Sequence, residues 1–195
     1  MLFMQRVLGE QWRQLPIAIQ RHYQLTDGQI SLLEGKMNIR YPVLLFPLIW
    51  IIHLFGGLVL WRGNGVNTQV KKMAGHNELL YWQRRVDYID GNSDYFNSQM
   101  LYIADHEVKE LIGFGFGLRL AVNVINGDLV YRSLGHYWQC GKFSIIIADY
   151  LLLGTAIITE HALSENSFYL DFKIEHPLWG ETYSYCGEFH YMDNH

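Results

Sequence analysis

Apolar and polar positions follow two periods along the chain, and the change of period divides it. Across residues 3–23, Val7, Leu8, Trp12, Leu15, Ile19 and Tyr23 recur at three- or four-residue steps, the spacing that lines one helix face, with Pro16 splitting the run into a pair. Thr26, Asp27 and Gly28 end that pattern. Residues 29–33 and 36–41 are short extended runs, and Glu34-Gly35 between them predicts a hairpin turn. From Glu78 onward period two dominates. Leu80, Trp82, Arg84, Val86 and Tyr88 alternate with Leu79, Tyr81, Gln83, Arg85 and Asp87, so large side chains stand on both faces of one strand. A turn at 90–93 leads into a strand over 95–104. Asn126-Gly127, between apolar runs at 118–125 and 129–138, is the strongest hairpin signal, because both residues accept positive φ. The glycines of 112–117 predict a bent strand. Residues 143–153 form a short apolar run that periodicity cannot divide between helix and strand, and we read it as a short helix. Near the end, Phe168, Leu170, Phe172 and Ile174 share one face, the chain turns over 176–180, and Tyr183, Tyr185, Gly187, Phe189 and Tyr191 return on one face of a partner strand.

Many short strands joined by hairpins leave edges that closure hides. The expected fold is therefore mainly antiparallel β (α+β): a barrel-like or strongly curved sheet of about seven to ten strands, with an N-terminal helix and an apolar capping helix. The capping element is residues 43–60, whose one polar side chain is His53. Its length meets the minimum for a membrane span. Pro47, the Gly56-Gly57 pair and His53 interrupt it, and Arg40 before it with Arg62, Lys71 and Lys72 after it give no orientation bias. A helix buried in or capping the domain is the leading reading; monotopic membrane contact and a true span are the alternatives.

Composition narrows the class. The 195 residues, half of them hydrophobic and 17% charged, suit a single folded domain over 1–195. A net charge of −4 gives no general attraction to phosphate backbones, so nucleic acid is not an expected partner. Cys140 and Cys186 form no C-x-x-C pair and read as reduced thiols. The N-terminus carries no recognisable secretion signal, so a cytoplasmic location is the expectation, with membrane association through 43–60 as the alternative.

A polar constellation is expected around Trp82, Arg84, Arg85, Glu160 and His161, with Tyr183 and Tyr185 from the last strand. Arginine offers a planar fork for an acid, tryptophan a stacking face, and tyrosine a directional hydroxyl in an otherwise apolar cavity. Only one of Arg84 and Arg85 can look inward. The structural alternative is that Arg84 merely pairs with Glu160 or Asp171. Nine histidines, His76 and His195 among them, show no H-x-H or H-x-x-x-H spacing, so no metal site is read. No G-x-S-x-G is present, Ser98, Ser133 and Ser144 have no triad context, Glu107 and Glu110 read as a solvated edge, and I-G-F-G-F-G lacks phosphate-loop spacing. No catalytic residue and no cofactor are assigned. The leading functional reading is a binding domain for a hydrophobic or lipid-like small molecule; the alternative is an accessory domain that docks on a membrane surface or an oxidoreductase partner through 43–60.

Leu15-Pro16, His22, Gly28, Gly35, the W-x-R of Trp82 and Arg84, Phe96, Ser98, Glu110, Gly113 and above all the ending with Phe168, Asp171, His176-Pro177, Gly180, Tyr185 and Gly187 together resemble the bacterial domain of unknown function 4166 family. The resemblance spans nearly the whole chain. It implies a bacterial domain, stand-alone or fused behind a saccharopine-dehydrogenase-like nucleotide-binding domain, with no established activity. These 195 residues contain no such nucleotide-binding half, and they depart from the family in the uniformly apolar stretch from Pro47 to Leu60.

Overall fold

The computed structural model describes residues 2–75 and 79–192; His76, Glu78 and His195, and the side chain of Cys140, lie outside the described residues. Two short helices open the chain. α1 (Phe3–Leu8) ends at Gly9, whose φ is 53°, and a 3-10 turn leads to Leu15. Leu15 is extended because the ring of Pro16 crowds the helical conformation of its predecessor, and α2 (Ile17–Tyr23) starts directly after the proline. The helical pattern thus divides where the sequence says it should.

Eleven strands follow: β1 (Ile30–Arg40), β2 (Gly63–Gly75), β3 (Leu79–Asp87), β4 (Ser93–Ala104), β5 (Glu107–Leu111), β6 (Phe116–Ile125), β7 (Asp128–Cys140), β8 (Phe143–Ile147), β9 (Thr155–Ala162), β10 (Ser167–His176) and β11 (Gly180–Tyr191), with α3 (Phe46–Leu54) between β1 and β2. Pairing runs from β6 through β5, β4, β3, β2, β1, β11, β10 and β9 to β7, which pairs with β6 again. Ten antiparallel strands therefore close into a barrel, and β8 is an extra strand on β7. One edge of β7 serves two partners, β9 at 129–132 and β8 at 136–140. Between them the register with β6 shifts and Gly135 takes φ 133°, a bulge that bends β7 out of the ring.

Three local expectations are corrected. Glu34-Gly35 is not a turn: β1 is one continuous strand, and Gly35 sits mid-strand opposite Phe189. Residues 143–153 are strand β8 and a single 3-10 turn rather than a helix, because the backbone of 143–147 pairs with 136–140 of β7. Residues 113–115 form a 3-10 turn with Phe114 at φ 57°, and the strand starts only at Phe116.

The two ends of the barrel differ. At one end α1 and α2 lie over the turns: the Val7 carbonyl accepts from His106 N–H, and the Tyr191 hydroxyl donates to the Ala18 carbonyl. At the other end, the mouth, residues 41–62 cross from β1 to β2. The sequence expectation for this stretch holds in part. The helix is nine residues long, and of its side chains Ile49 is buried. What closes the mouth is the extended strap after it. Leu58, Val59 and Leu60 are buried; the Tyr183 hydroxyl donates to Val59 O, the Tyr41 hydroxyl to Leu60 O, and Leu60 N–H to Asp94 Oδ2. Among the described residues, no helix is long and apolar enough to cross a membrane.

Candidate functional site

Period-two alternation aims Val66, Thr68, Val70, Lys72 and Ala74 of β2 and Leu80, Trp82, Arg84 and Val86 of β3 into the barrel, while Lys71, Gln83 and Arg85 face out. The interior is mainly apolar, and its charged side chains gather in one band. In it lie Lys72, Trp82, Arg84, Glu110 and Glu160, with His22 and Tyr23 entering from α2. A cavity of about 50 Å³ runs along this band, bordered by Met37, Met100, Ile158, Leu170 and Phe189.

Glu160 is the centre of the band. Its Oε1 accepts from the Tyr23 hydroxyl at 2.7 Å, and that hydroxyl lies 2.6 Å from the hydroxyl of Tyr131. Burial pushes the Glu160 carboxyl up to about 7, although the Tyr23 hydrogen bond and the Lys72 and Arg84 cations pull the other way. Lys72 is wholly buried. Its Nζ donates to the His22 carbonyl and lies 3.9 Å from the Tyr23 ring centroid and 4.6 Å from that of Trp82. Burial holds this amine well below its ordinary value, against the attraction of Glu160. The same desolvation, with Lys72 and Arg84 nearby, keeps His22 well below its usual range and therefore neutral.

Arg84 has its own partners. Nη1 donates to Ser98 Oγ at 3.0 Å, Nη2 lies 3.7 Å from Glu110 Oε1, and the guanidinium is 4.9 Å from the Trp82 centroid and 4.7 Å from that of Phe96. Neither Glu160 nor Asp171 is its ion-pair partner; Asp171 faces solvent. Four polar atoms in the band have no protein hydrogen-bond partner: His22 Nδ1, Trp82 Nε1, Glu110 Oε1 and Glu160 Oε2.

Of the residues singled out in the sequence, Trp82, Arg84, Glu160 and Tyr185 border this cavity. Arg85 points outward and pairs with Asp87. Tyr183 is inside the barrel, but its hydroxyl is committed to Val59 at the mouth. His161 is on the outer face, paired with Asp128 at 2.6 Å, so Arg84, Glu160 and His161 do not converge. Glu110 faces the interior, whereas its neighbour Glu107 binds Arg119, so they form no carboxylate pair. Ser133 donates to Asp149, whose other oxygen meets His136 at 2.9 Å; the carboxylate stands between hydroxyl and imidazole, so the histidine cannot activate the serine. Lys72, His22, Tyr23 and Tyr131 were missed. The period of β2 does place Lys72 inward, but an inward lysine becomes credible only once α2 and β9 are seen to meet over it.

Tyr23→Phe removes the donor to Glu160 and the partner of Tyr131 together. The expected cost is about 1–3 kcal/mol in urea unfolding, with the Glu160 titration displaced further upward in carboxyl ¹³C NMR, since this bond favours the charged form. Unchanged stability and titration would show that the pair does not operate as drawn.

The family model described as a domain of unknown function (DUF4166) matches residues 15–189. Among solved structures, a de novo designed fluorescence-activating β-barrel is similar at 10% identity and a TM-score of 0.30, over 87% of this chain and 95% of that one. No curated protein matches the chain.

Proposed function

This chain belongs to the domain of unknown function 4166 family, and from that premise, which brings no activity with it, we propose that the barrel is a binding module for a small, mainly apolar molecule carrying one hydrogen-bonding group. The observation that supports this reading is that four buried polar atoms without a hydrogen bond, on His22, Trp82, Glu110 and Glu160, belong to residues lining the same mostly apolar cavity; of the four, Glu110 Oε1 has the Arg84 cation 3.7 Å away. A buried polar atom without a partner costs roughly 1–3 kcal/mol, so the three on His22, Trp82 and Glu160 together call for an occupant, solvent or ligand, that completes them.

The chemistry of the band limits the polar end of the ligand. Glu110 and Glu160 offer acceptor oxygens, Trp82 a donor, and His22 either role. A group that both donates and accepts, such as a hydroxyl or an amide, answers this set better than a carboxylate, because Arg84, the cation on the cavity wall, already faces Ser98 and Glu110. Size limits the rest. The cavity of about 50 Å³ is smaller than the roughly 150 Å³ that admits benzene. A ligand of that size or longer enters by displacing the flexible Met37 and Met100 side chains.

Native mass spectrometry of the full chain purified without detergent, together with thermal unfolding in phenol, benzene and benzoate, tests the reading. A copurifying adduct, or stabilisation ordered phenol above benzene above benzoate and removed by Met37→Phe, is expected. A bare apo mass with no stabilisation by any of the three would count decisively against it.

A further inference from the structure

A helix that is apolar on every side belongs in an apolar medium on every side. α3 has the sequence F-P-L-I-W-I-I-H-L, yet it lies on the outside of the mouth, with Ile49 its buried side chain and Trp50, Ile51 and Leu54 about half exposed. It is not alone there. Leu44 is 90% exposed just before it. Four further connections end at the same mouth, and each carries its own bare apolar tip: Ile89 between β3 and β4, Phe114 between β5 and β6, Phe143 and Leu151 between β7 and β9, and Trp179 between β10 and β11. Phe55 and Phe114 meet edge to face at 5.8 Å, which joins two of these tips into one surface.

We propose that this mouth is a lipid-bilayer contact surface, seated in the interfacial layer with the barrel standing above it. Three observations favour a bilayer over a folded partner. The apolar groups project as separate tips around a closed ring, a relief that suits a fluid surface and not the close packing of a protein interface. Residues 43–61 contain no Asp, Glu, Lys or Arg; of the acids on the other connections, Asp149 is tied down by Ser133 and His136 and Asp90 by Asn92, while the exposed Lys142 suits an anionic headgroup. Trp50, Trp61 and Trp179 are about half exposed among the aliphatic tips, as amphipathic rings are at a headgroup boundary. Below the mouth the outer wall of β1, β2, β3, β10 and β11 turns polar, with Glu34, Lys36, Lys71, Arg85, Asp171 and Glu188, so on that side the contact ends at the rim; Tyr95, Ile145 and Ile146 carry the apolar surface further on the β4 and β8 sides. This surface is independent of what the cavity holds.

The test is flotation of the full chain with vesicles of pure phosphatidylcholine and of phosphatidylcholine mixed with phosphatidylglycerol, beside size-exclusion chromatography with light scattering. The wild type is expected to float with both compositions as a monomer in solution, its tryptophan emission quenched by brominated lipid. Phe114→Ser, Leu151→Ser and Trp179→Ser remove mostly exposed side chains and should each lower the partition coefficient by about tenfold or more, with circular dichroism confirming that loss of the Phe114–Phe55 contact and of the Trp179 stack on His176 leaves the fold intact. A wild type that stays with the solvent overturns the proposal, as does flotation that the three substitutions leave unchanged. A stable dimer that the same substitutions dissociate also overturns it, and would assign the mouth to a second copy of the chain.

Discussion

Gly35→Val is expected to cost about 3 kcal/mol or more and to lower the thermal midpoint by roughly 6–12 °C, although nothing about the backbone of this residue demands glycine. Its φ is ordinary, and the constraint is space. A Cβ there would lie 2.3 Å from the Glu188 carbonyl oxygen and 2.7 Å from Cδ1 of Phe189. The first contact is with backbone on the paired strand, so relief requires β1 and β11 to part. Gly187 repeats the arrangement from the other strand, its Cβ position 2.3 Å from the Lys36 carbonyl oxygen. These two glycines let β1 and β11 bend past each other while Phe189 fills the space above Gly35. Gly127→Ala is the control, because that turn glycine has open space around it and loses only its positive φ, worth about 1 kcal/mol. Urea unfolding followed by circular dichroism separates the outcomes. A Gly35→Val chain with the wild-type midpoint would show that the β1–β11 seam is not closed as described.

The same glycine shows where reading the sequence stops. Glu34-Gly35 between two alternating runs is indistinguishable from a hairpin turn on local grounds; only the register that sets Phe189 opposite Gly35 makes it the middle of a strand. Where the determining physics is local, the sequence is legible. Pro16 divides the helices, Asn126-Gly127 turns with φ of 54° and 89°, and the alternation of β3 sends Arg84 in and Arg85 out. The barrel class follows from the number of hairpins and the need to hide edges. The site is harder, because its members are distant in the chain. Glu160 and His161 are neighbours that must face opposite ways, and pairing with β10 and β7 decides which one enters the barrel. Lys72 reads as one more surface charge until Tyr23, Trp82 and Glu160 are placed around it.

Glu160→Gln is expected to stabilise the protein more at pH 8 than at pH 5, by a difference of about 3 kcal/mol. The carboxyl titrates near 7 when folded and roughly 4.3 when unfolded. Its folded value is raised, so the folded chain holds the proton more tightly. The contribution of the protonated acid is fully present below about pH 4.3, declines by about 1.4 kcal/mol per unit as pH rises towards 7, and above that is lost at a constant level. Glutamine retains an acceptor for the Tyr23 hydroxyl and does not titrate. His22 is present in both chains, whereas Lys72 loses the attraction of Glu160 in the variant, so the difference between the two stability curves reports the acid together with its coupling to this amine. Urea unfolding at pH 5, 6, 7 and 8 should give a gap that widens up to neutrality and then levels. Parallel curves across that range would mean that Glu160 does not change charge near 7. A carboxyl that changes there presents a donor hydroxyl to the cavity in mildly acidic solution and a bare acceptor in alkaline solution. If the gap widens as expected, the same pH interval should also reverse which small probes the cavity prefers, with acceptors such as ketones favoured below neutrality and donors such as phenol above it.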